Sequence, residues 1–248
     1  MNAVIIPTMG ERSPLTLEQR VKREVLKDLK ELAYENPPET KADWNLIWAF
    51  SGPHGFHQSG TWVKKGPDGL YQDIGTEVNE AITRFIAATQ IVRQVTALRV
   101  GKNVEDVTLD DIRVAGPKIF YNEWDWQNDD LRELFFEENG EKQFEFPKEN
   151  LIIPQNSQVM HTGHQFEKFP DEVLNVLGEN GKFVLVSDLY HLPRIKRHAW
   201  KRFTKATVDR MVFYPSQPLF GSFRLFRGEI RRVVEYGKRG NLSWSPPQ

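Results

Sequence analysis

Short apolar runs alternate with longer amphipathic stretches along this chain, and the alternation predicts strands followed by helices. Apolar residues recur at helical spacing over residues 17–35 and again over 76–100. The clearest strand is 183–186, whose unbroken apolar run is typical of a parallel strand covered on both faces. Further strands are predicted at 3–6, 45–50, 151–153 and 211–214, and further helices at 163–177, from 192 onward and at 225–236.

Strands that alternate with helices predict an α/β fold, a three-layer Rossmann-like arrangement with a mostly parallel sheet and helices on both faces. A chain of 248 residues is expected to form a single α/β domain over 1–248. Residues from about 101 to 149 show no clear periodicity, and we interpret them as an insertion or cap. The tail from Gly237 is polar and is expected to fray.

Charge and composition narrow the function classes. The chain carries 33 basic and 34 acidic side chains, a balance that argues against binding nucleic acid by neutralising phosphates. It has no cysteine, which excludes disulfides, thiolate metal sites and cysteine nucleophiles. No stretch approaches the roughly 20 apolar residues of a membrane-spanning helix. We expect a cytoplasmic protein with a small-molecule ligand and neither a membrane nor a nucleic-acid partner; its oligomeric state is left open.

The histidines fall into three pairs, and five of the six follow predicted strands or begin the next helix. The pairs are His54 and His57, His161 and His164, and His191 and His198. Loops after parallel strands open on one edge of the sheet, so the strand-following histidines are expected near one another. Paired histidines suit zinc, iron or nickel. Carboxylates are sparse beside them, so no metal ligand is assigned, and a His-liganded metal-dependent hydrolase stays an alternative.

Five different side-chain chemistries follow the strand at 183–186. They are carried by Ser187, Asp188, Tyr190, His191 and Arg194. The first four are the predicted catalytic residues, with His191 as general acid or base because imidazole titrates at about pH 6.5. Arg194 is predicted to hold an anion, assisted by backbone amides of a helix that begins near Pro193. Alternatively, Arg194 pairs with a surface acid and His191 caps the helix.

Two other loops supply the remaining predicted binding residues. The turn after the strand at 45–50 holds Ser51 and Gly52, whose small side chains let backbone amides approach a phosphate or carboxylate. The other predicted binding residues are His54, His161, Thr162 and His164.

The segment 187–194 resembles a motif of the YdcF/SanA/ElyC family, a pair of hydroxyl residues followed by Tyr-His-x-Pro-Arg. Ser187 stands at the first hydroxyl position and Asp188 replaces the second. The residues that match outright are Tyr190, His191, Pro193 and Arg194. Ser51 and Gly52 resemble the family's Ser-Gly-Gly turn, with Pro53 in place of the second glycine.

The family's Asn-Thr-x-Glu-Asn segment corresponds to 161–165, where Thr162 is kept and His164 replaces the acid. Residues 229–240 resemble the family's closing helix, whereas 56–149 do not align. The resemblance implies a three-layer α/β fold with a cleft that binds a nucleotide or S-adenosylmethionine. Two functions follow: an enzyme, a hydrolase or transferase acting on an anionic or nucleotide-like small molecule, or a non-catalytic protein that senses such a ligand. His164 stands where the family has an acid, and the loss of that acid favours the non-catalytic sensor.

Overall fold

A computed structural model describes residues 15–34, 38–50, 63–65, 71–73, 80–136, 140–216 and 223–248. The predicted strand at 3–6 lies outside these ranges, as does the turn that holds Ser51, Gly52 and His54. Within the described ranges no helix combines the length and the apolar character that crossing a bilayer takes.

The described elements are given in chain order. They are α1 (Leu17–Tyr34), β1 (Trp44–Ala49), β2 (Val63–Lys65), β3 (Tyr71–Asp73), α2 (Glu80–Val100), α3 (Leu109–Ala115), β4 (Lys118–Phe120), α4 (Asp125–Phe136), α5 (Gly140–Phe144), β5 (Leu151–Ile152), α6 (Thr162–Glu167), β6 (Lys182–Ser187), α7 (Leu192–Arg202), α8 (Lys205–Val208), β7 (Met211–Pro215) and α9 (Phe223–Lys238). Short 3-10 helices occur at Val104–Asp106, Lys148–Asn150 and Asp171–Leu177.

Five parallel strands form the main sheet in the order β5-β4-β1-β6-β7. From β1 the chain builds the sheet outward through β4 and β5, and it then returns to the other side of β1 for β6 and β7. Numbered by their order along the chain, these described strands run 3-2-1-4-5, and the direction of building reverses between β1 and β6. This confirms the predicted α/β, Rossmann-like architecture. Strands β2 and β3 form a separate antiparallel pair.

Apolar side chains cover both faces of the sheet. Strand β6 places Val184 and Val186 in one core, which contains residues of α2, α3 and α4. Its alternate residues, Phe183 and Leu185, lie in the opposite core with residues of α6 and α7. A strand buried on both faces needs an apolar residue at every position, which explains why 183–186 gave the clearest sequence signal.

The last helix and the tail pack more closely than the sequence predicts. The apolar face of α9 contacts the apolar face of α1 in a third core. Leu242 is buried in the same core, and the N–H of Ser243 donates to the carbonyl of Arg197 at 3.2 Å. The expectation that the tail frays from Gly237 is therefore wrong for residues up to 243, because these contacts hold them against α7 and α9.

Two other sequence interpretations need correction. The helix expected over 163–177 is divided into α6 and the 3-10 helix Asp171–Leu177, because Pro170, at its N-cap, disfavours a helical conformation for Phe169. Residues 118–120, inside the stretch interpreted as an insertion or cap, form β4, a strand of the main sheet beside β1. That a single domain spans the whole chain stays a prediction.

Candidate functional site

The carboxyl ends of the parallel strands gather polar residues at one edge of the sheet. Asn122 lies just beyond β4, and Ser187 and Asp188 lie at the end of β6. Helices α6 and α7 both begin at this edge. In open α/β sheets, ligands bind at the carboxyl edge where the strand order reverses, which here is the crevice between β1 and β6. We therefore assign the candidate site to this edge.

His191 lies at the centre of the described part of this edge. Its Nδ1 is 2.9 Å from the Oγ of Ser187, and its Nε2 is 3.4 Å from the Oγ1 of Thr162. The ring of Phe50, the residue after β1, stands edge-on to the imidazole with a centroid separation of 6.3 Å. Two of the three predicted turns, at Thr162 and at His191, therefore meet directly.

Burial determines the protonation state of His191. The residue is only 5% exposed, and burial lowers the pKa of its imidazole well below the usual value. The positive charges of Arg194 and Arg84 lower the pKa further. His191 is therefore neutral at pH 7, with one ring nitrogen as hydrogen-bond donor and the other as acceptor. The smaller contribution of the arginines to this shift reflects positive charge close to the ring.

Ser187 and Asp188 have different partners, although they are adjacent. The side chain of Ser187 is fully buried and contacts His191, so it can orient the imidazole. Asp188 accepts hydrogen bonds from Arg84 at 2.6 Å and from the Oγ of Ser216 at 2.7 Å. These contacts tie α2 to the ends of β6 and β7. Ser187, Asp188 and His191 therefore form no catalytic triad.

Arg194 is buried and ion-paired. Its Nε donates to the Oε1 of Glu229 on α9 at 2.5 Å, and its guanidinium carbon lies 5.7 Å from the centre of the Tyr236 ring. The alternative predicted from the sequence was a pair with a surface acid, but Glu229 is fully buried. Tyr190 is also buried, and its ring centroid is 6.5 Å from that of His191.

The backbone amides at the start of α7 are already bonded. The N–H of Leu192 donates to the carbonyl of Asp188 at 3.2 Å, and the N–H of Arg194 donates to that of His191 at 3.0 Å. Pro193 has no N–H. The expectation that amides of this helix assist anion binding is therefore wrong, because the tight turn before the helix uses them.

Three histidines cluster around the start of α6. His161 caps the helix by accepting the N–H of His164 at 3.2 Å, and the centroids of the two imidazole rings lie 3.8 Å apart. The ring of His198 stacks on Phe166, and burial lowers its pKa to about 3. Burial also lowers the pKa of His161. No set of three or more His, Asp or Glu side chains within the described ranges is placed to hold a metal ion.

A buried network of polar side chains extends from the site toward β4, and it was not predicted from the sequence. The backbone N–H and carbonyl of Glu123 both bond the side-chain amide of Asn128, at 3.0 Å each. The side-chain amide of Gln165 donates to the carbonyl of Asn122 at 2.9 Å and to the carboxylate of Glu123. Thr162 and Gln165 lie one turn apart on α6, so this helix joins the network to His191. The available signal was the Asn-Glu pair directly after a short apolar run.

Three other residues of the site were not assigned from the sequence. They are Arg84, Ser216 and Glu229, which bond Asp188 and Arg194. Glu229 left only a weak signal, an acid next to the apolar residues of an amphipathic helix. Only the tertiary structure identifies Arg84 as one of the buried arginines.

Comparison with known proteins adds no further assignment. No protein-family model matches the chain, and neither a curated protein nor a solved structure matches it. The resemblance to the YdcF/SanA/ElyC family therefore stays a prediction, and the function has to be argued from the geometry of the site itself.

Proposed function

We propose that the protein is an enzyme that acts on an anionic, nucleotide-like small molecule at the carboxyl edge of the sheet, with His191 as the group that transfers a proton. The observation that carries this proposal is a buried, neutral imidazole, held by Ser187 beside the crevice between β1 and β6.

The contacts of His191 suit proton transfer. The 2.9 Å contact to Ser187 fixes the orientation of the ring through Nδ1. The 3.4 Å contact from Nε2 to Thr162 is long for a hydrogen bond, so an atom of a substrate can replace it at little cost. Nε2 is therefore the atom that exchanges the proton, and Ser187 is a positioning residue.

The low pKa of His191 favours an anionic substrate. A base whose pKa lies far below the working pH takes up a proton poorly. A negative charge bound next to the imidazole stabilises the protonated ring and raises its pKa toward neutrality. The substrate thus supplies the charge that makes His191 an effective base, and the positive potential at the ring attracts that charge.

Two features of the carboxyl edge of the sheet support a nucleotide-like substrate. The strand order, 3-2-1-4-5 among the described strands, is that of folds that bind nucleotides where the order reverses. The carboxylate of Glu123 lies at the end of β4, and the bonds between its backbone and Asn128 hold it in place. A fixed carboxylate at this edge can accept hydrogen bonds from the hydroxyls of a sugar.

A second candidate function is a non-catalytic protein that senses a nucleotide or S-adenosylmethionine. The charges of Asp188 and Arg194 are already used in ion pairs, and Ser187 is fully buried. Few groups besides His191 then remain to carry out chemistry.

The test compares two positions of α7, the buried His191 at its N-cap and the exposed Lys201 near its end. Wild-type protein is screened by thermal unfolding with AMP, ATP and S-adenosylmethionine, and ligands that stabilise it are assayed for hydrolysis or transfer. We expect His191→Gln to keep ligand stabilisation and to lose about 100- to 10,000-fold in turnover, because glutamine cannot transfer a proton. Lys201→Gln, which changes an exposed residue of the same helix, is the control and is expected to keep both.

The outcomes separate the two functions. Binding without turnover in the wild type indicates the sensor. Turnover that persists in His191→Gln contradicts the role of His191, and a wild type that none of these ligands stabilises contradicts the proposed ligand class.

A further inference from the structure

One face of the C-terminal helix forms a wall of the site. Glu229, Arg232 and Tyr236 are spaced three and four residues apart on α9, so they share a face. Glu229 bonds Arg194 at the start of α7. The Tyr236 ring centroid lies 6.4 Å from that of His161 and 6.0 Å from that of His198. Arg232 therefore lies between two residues that contact the histidines and the arginine of the site.

Glu229 is shared by two guanidinium groups. Its Oε1 accepts the short bond from Arg194, and its Oε2 lies 3.5 Å from the Nη1 of Arg232. One carboxylate neutralises only one of these two cations. The third arginine near the site, Arg84, has Asp188 as its counter-charge. Among these five described groups, one positive charge is in excess.

The two arginines differ in how firmly they are held. Arg194 is buried, and its Nε makes the bond to Glu229, so its Nη nitrogens remain for a ligand. The side chain of Arg232 is 57% exposed, and its 3.5 Å contact is longer than a well-formed hydrogen bond. Arg232 can thus move onto a bound group while Glu229 keeps Arg194 in place. Arg232 is also close enough to lower the pKa of His191.

We infer that Arg194 and Arg232 together bind a phosphate group, so that the substrate is a phosphomonoester or nucleotide and Arg232 determines this specificity. The inference rests on the function proposed above and names its ligand class. A phosphate monoester carries about two negative charges near pH 7 and accepts paired N–H donors, which a guanidinium supplies. Two arginines, only one of them neutralised by Glu229, match such a group better than a carboxylate of single charge.

The experiment uses the neighbouring residue of the same helix as control. Arg231 is an exposed arginine next to Arg232, so Arg231→Gln and Arg232→Gln change the net charge equally. Binding of AMP, adenosine and inorganic phosphate to the full chain is measured by calorimetric titration. We expect the wild type to bind AMP more tightly than adenosine, and Arg232→Gln to lose about tenfold or more in AMP affinity with adenosine unchanged. Arg231→Gln is expected to match the wild type, and Arg232→Lys to recover part of the loss.

The outcomes distinguish this inference from the function on which it rests. If the wild type binds AMP and adenosine equally, or if Arg232→Gln keeps the preference for AMP, the phosphate assignment is wrong while the ligand site stands. If the wild type binds none of these ligands and no S-adenosylmethionine, the proposed function itself fails. Circular dichroism of each variant checks that it folds. If Arg232→Gln does not fold, Arg232→Lys takes its place. Unchanged affinities of Arg232→Lys for AMP and phosphate would then overturn the inference.

Discussion

Two buried arginines at the carboxyl edge each form an ion pair with a carboxylate. Arg84 contacts Asp188 at 2.6 Å, and Arg194 contacts Glu229 at 2.5 Å. Burial lowers the pKa of three histidines at the same edge, His161, His191 and His198. The positive charge of Arg194 lowers the pKa of all three further.

The Arg84–Asp188 pair is expected to contribute strongly to stability. Asp188→Asn removes the negative charge beside a guanidinium that is 2% exposed, and it should lower the free energy of unfolding by about 3–5 kcal/mol. The control is Asp209→Asn, which removes an exposed pair with Lys205 on α8 and should change stability by less than about 0.5 kcal/mol. Urea unfolding measures both. Equal effects of the two substitutions would contradict the prediction.

His198 is expected to make the protein less stable in acid. Its pKa falls from 6.5 to about 3 on folding, mainly because it is buried, so the unfolded chain takes up a proton in this range while the folded chain does not. Stability from this residue is present above the unfolded pKa and is lost as the pH falls toward the folded one, by up to about 1.4 kcal/mol per pH unit.

Replacing this residue isolates its contribution. His198→Phe keeps a ring that can stack on Phe166 but removes the proton site. Urea unfolding from about pH 7 to pH 5 should therefore show a shallower loss of stability in the variant than in the wild type. Parallel pH profiles would show that His198 does not couple folding to protonation.

Two glycines of helix α9 allow the packing of the C-terminal segment to be tested. Trp244 lies against Gly237, and a Cβ built at this glycine would overlap its ring. At Gly228, in the same helix, a Cβ would have no neighbour within 4 Å. The two glycines therefore differ in what surrounds them and not in the element they occupy.

Alanine should have opposite effects at these two positions. Gly228→Ala is expected to stabilise the protein by up to about 1 kcal/mol, because alanine is the better helix former. Gly237→Ala should destabilise it by about 1–2 kcal/mol, because Trp244 must move. Thermal unfolding measures both, and Gly237→Ala combined with Trp244→Ala should recover most of the loss. A stabilising Gly237→Ala on its own would show that the tail does not pack as described.

The sequence predicted the elements whose burial pattern is regular. Strand β6 and helix α1 were recognised within one or two residues, because a doubly covered strand and an amphipathic helix have distinct periods. Strand β4 was missed, since three residues are too few to show a period. The break at Pro170 was overlooked, although a proline inside a helical pattern is a known boundary signal.

At the scale of the whole molecule, the topology of a parallel sheet predicts which loops that are distant in sequence lie close together. The rule that parallel strands end at one edge correctly predicted that Thr162 and His191 meet, and they lie 3.4 Å apart. The partners of the charged residues could not be predicted. Arg84 and Asp188 are 104 positions apart in sequence, and only the packing of α2 on the sheet brings them together.

A ligand at this edge should protect one side of the molecule. With a stabilising ligand bound, hydrogen exchange is expected to slow in peptides covering 121–128, 161–166, 187–195 and 229–236. Peptides 178–181 and 204–210, at the amino ends of the strands, serve as the internal control and should not change. Protection confined to these control peptides would place the ligand at the opposite edge.

The pairing of Arg194 with Glu229 also bears on how the protein is made. The carboxylate is encoded 35 residues after the arginine, on an element that is translated later. At about 5–20 residues per second, the ribosome adds Glu229 to the chain some 2–7 s after Arg194. During that interval the nascent chain lacks the counter-charge, so helix α7 can dock on the sheet only with its arginine still in water. The ion pair that closes this side of the pocket therefore cannot form until α9 has been synthesised.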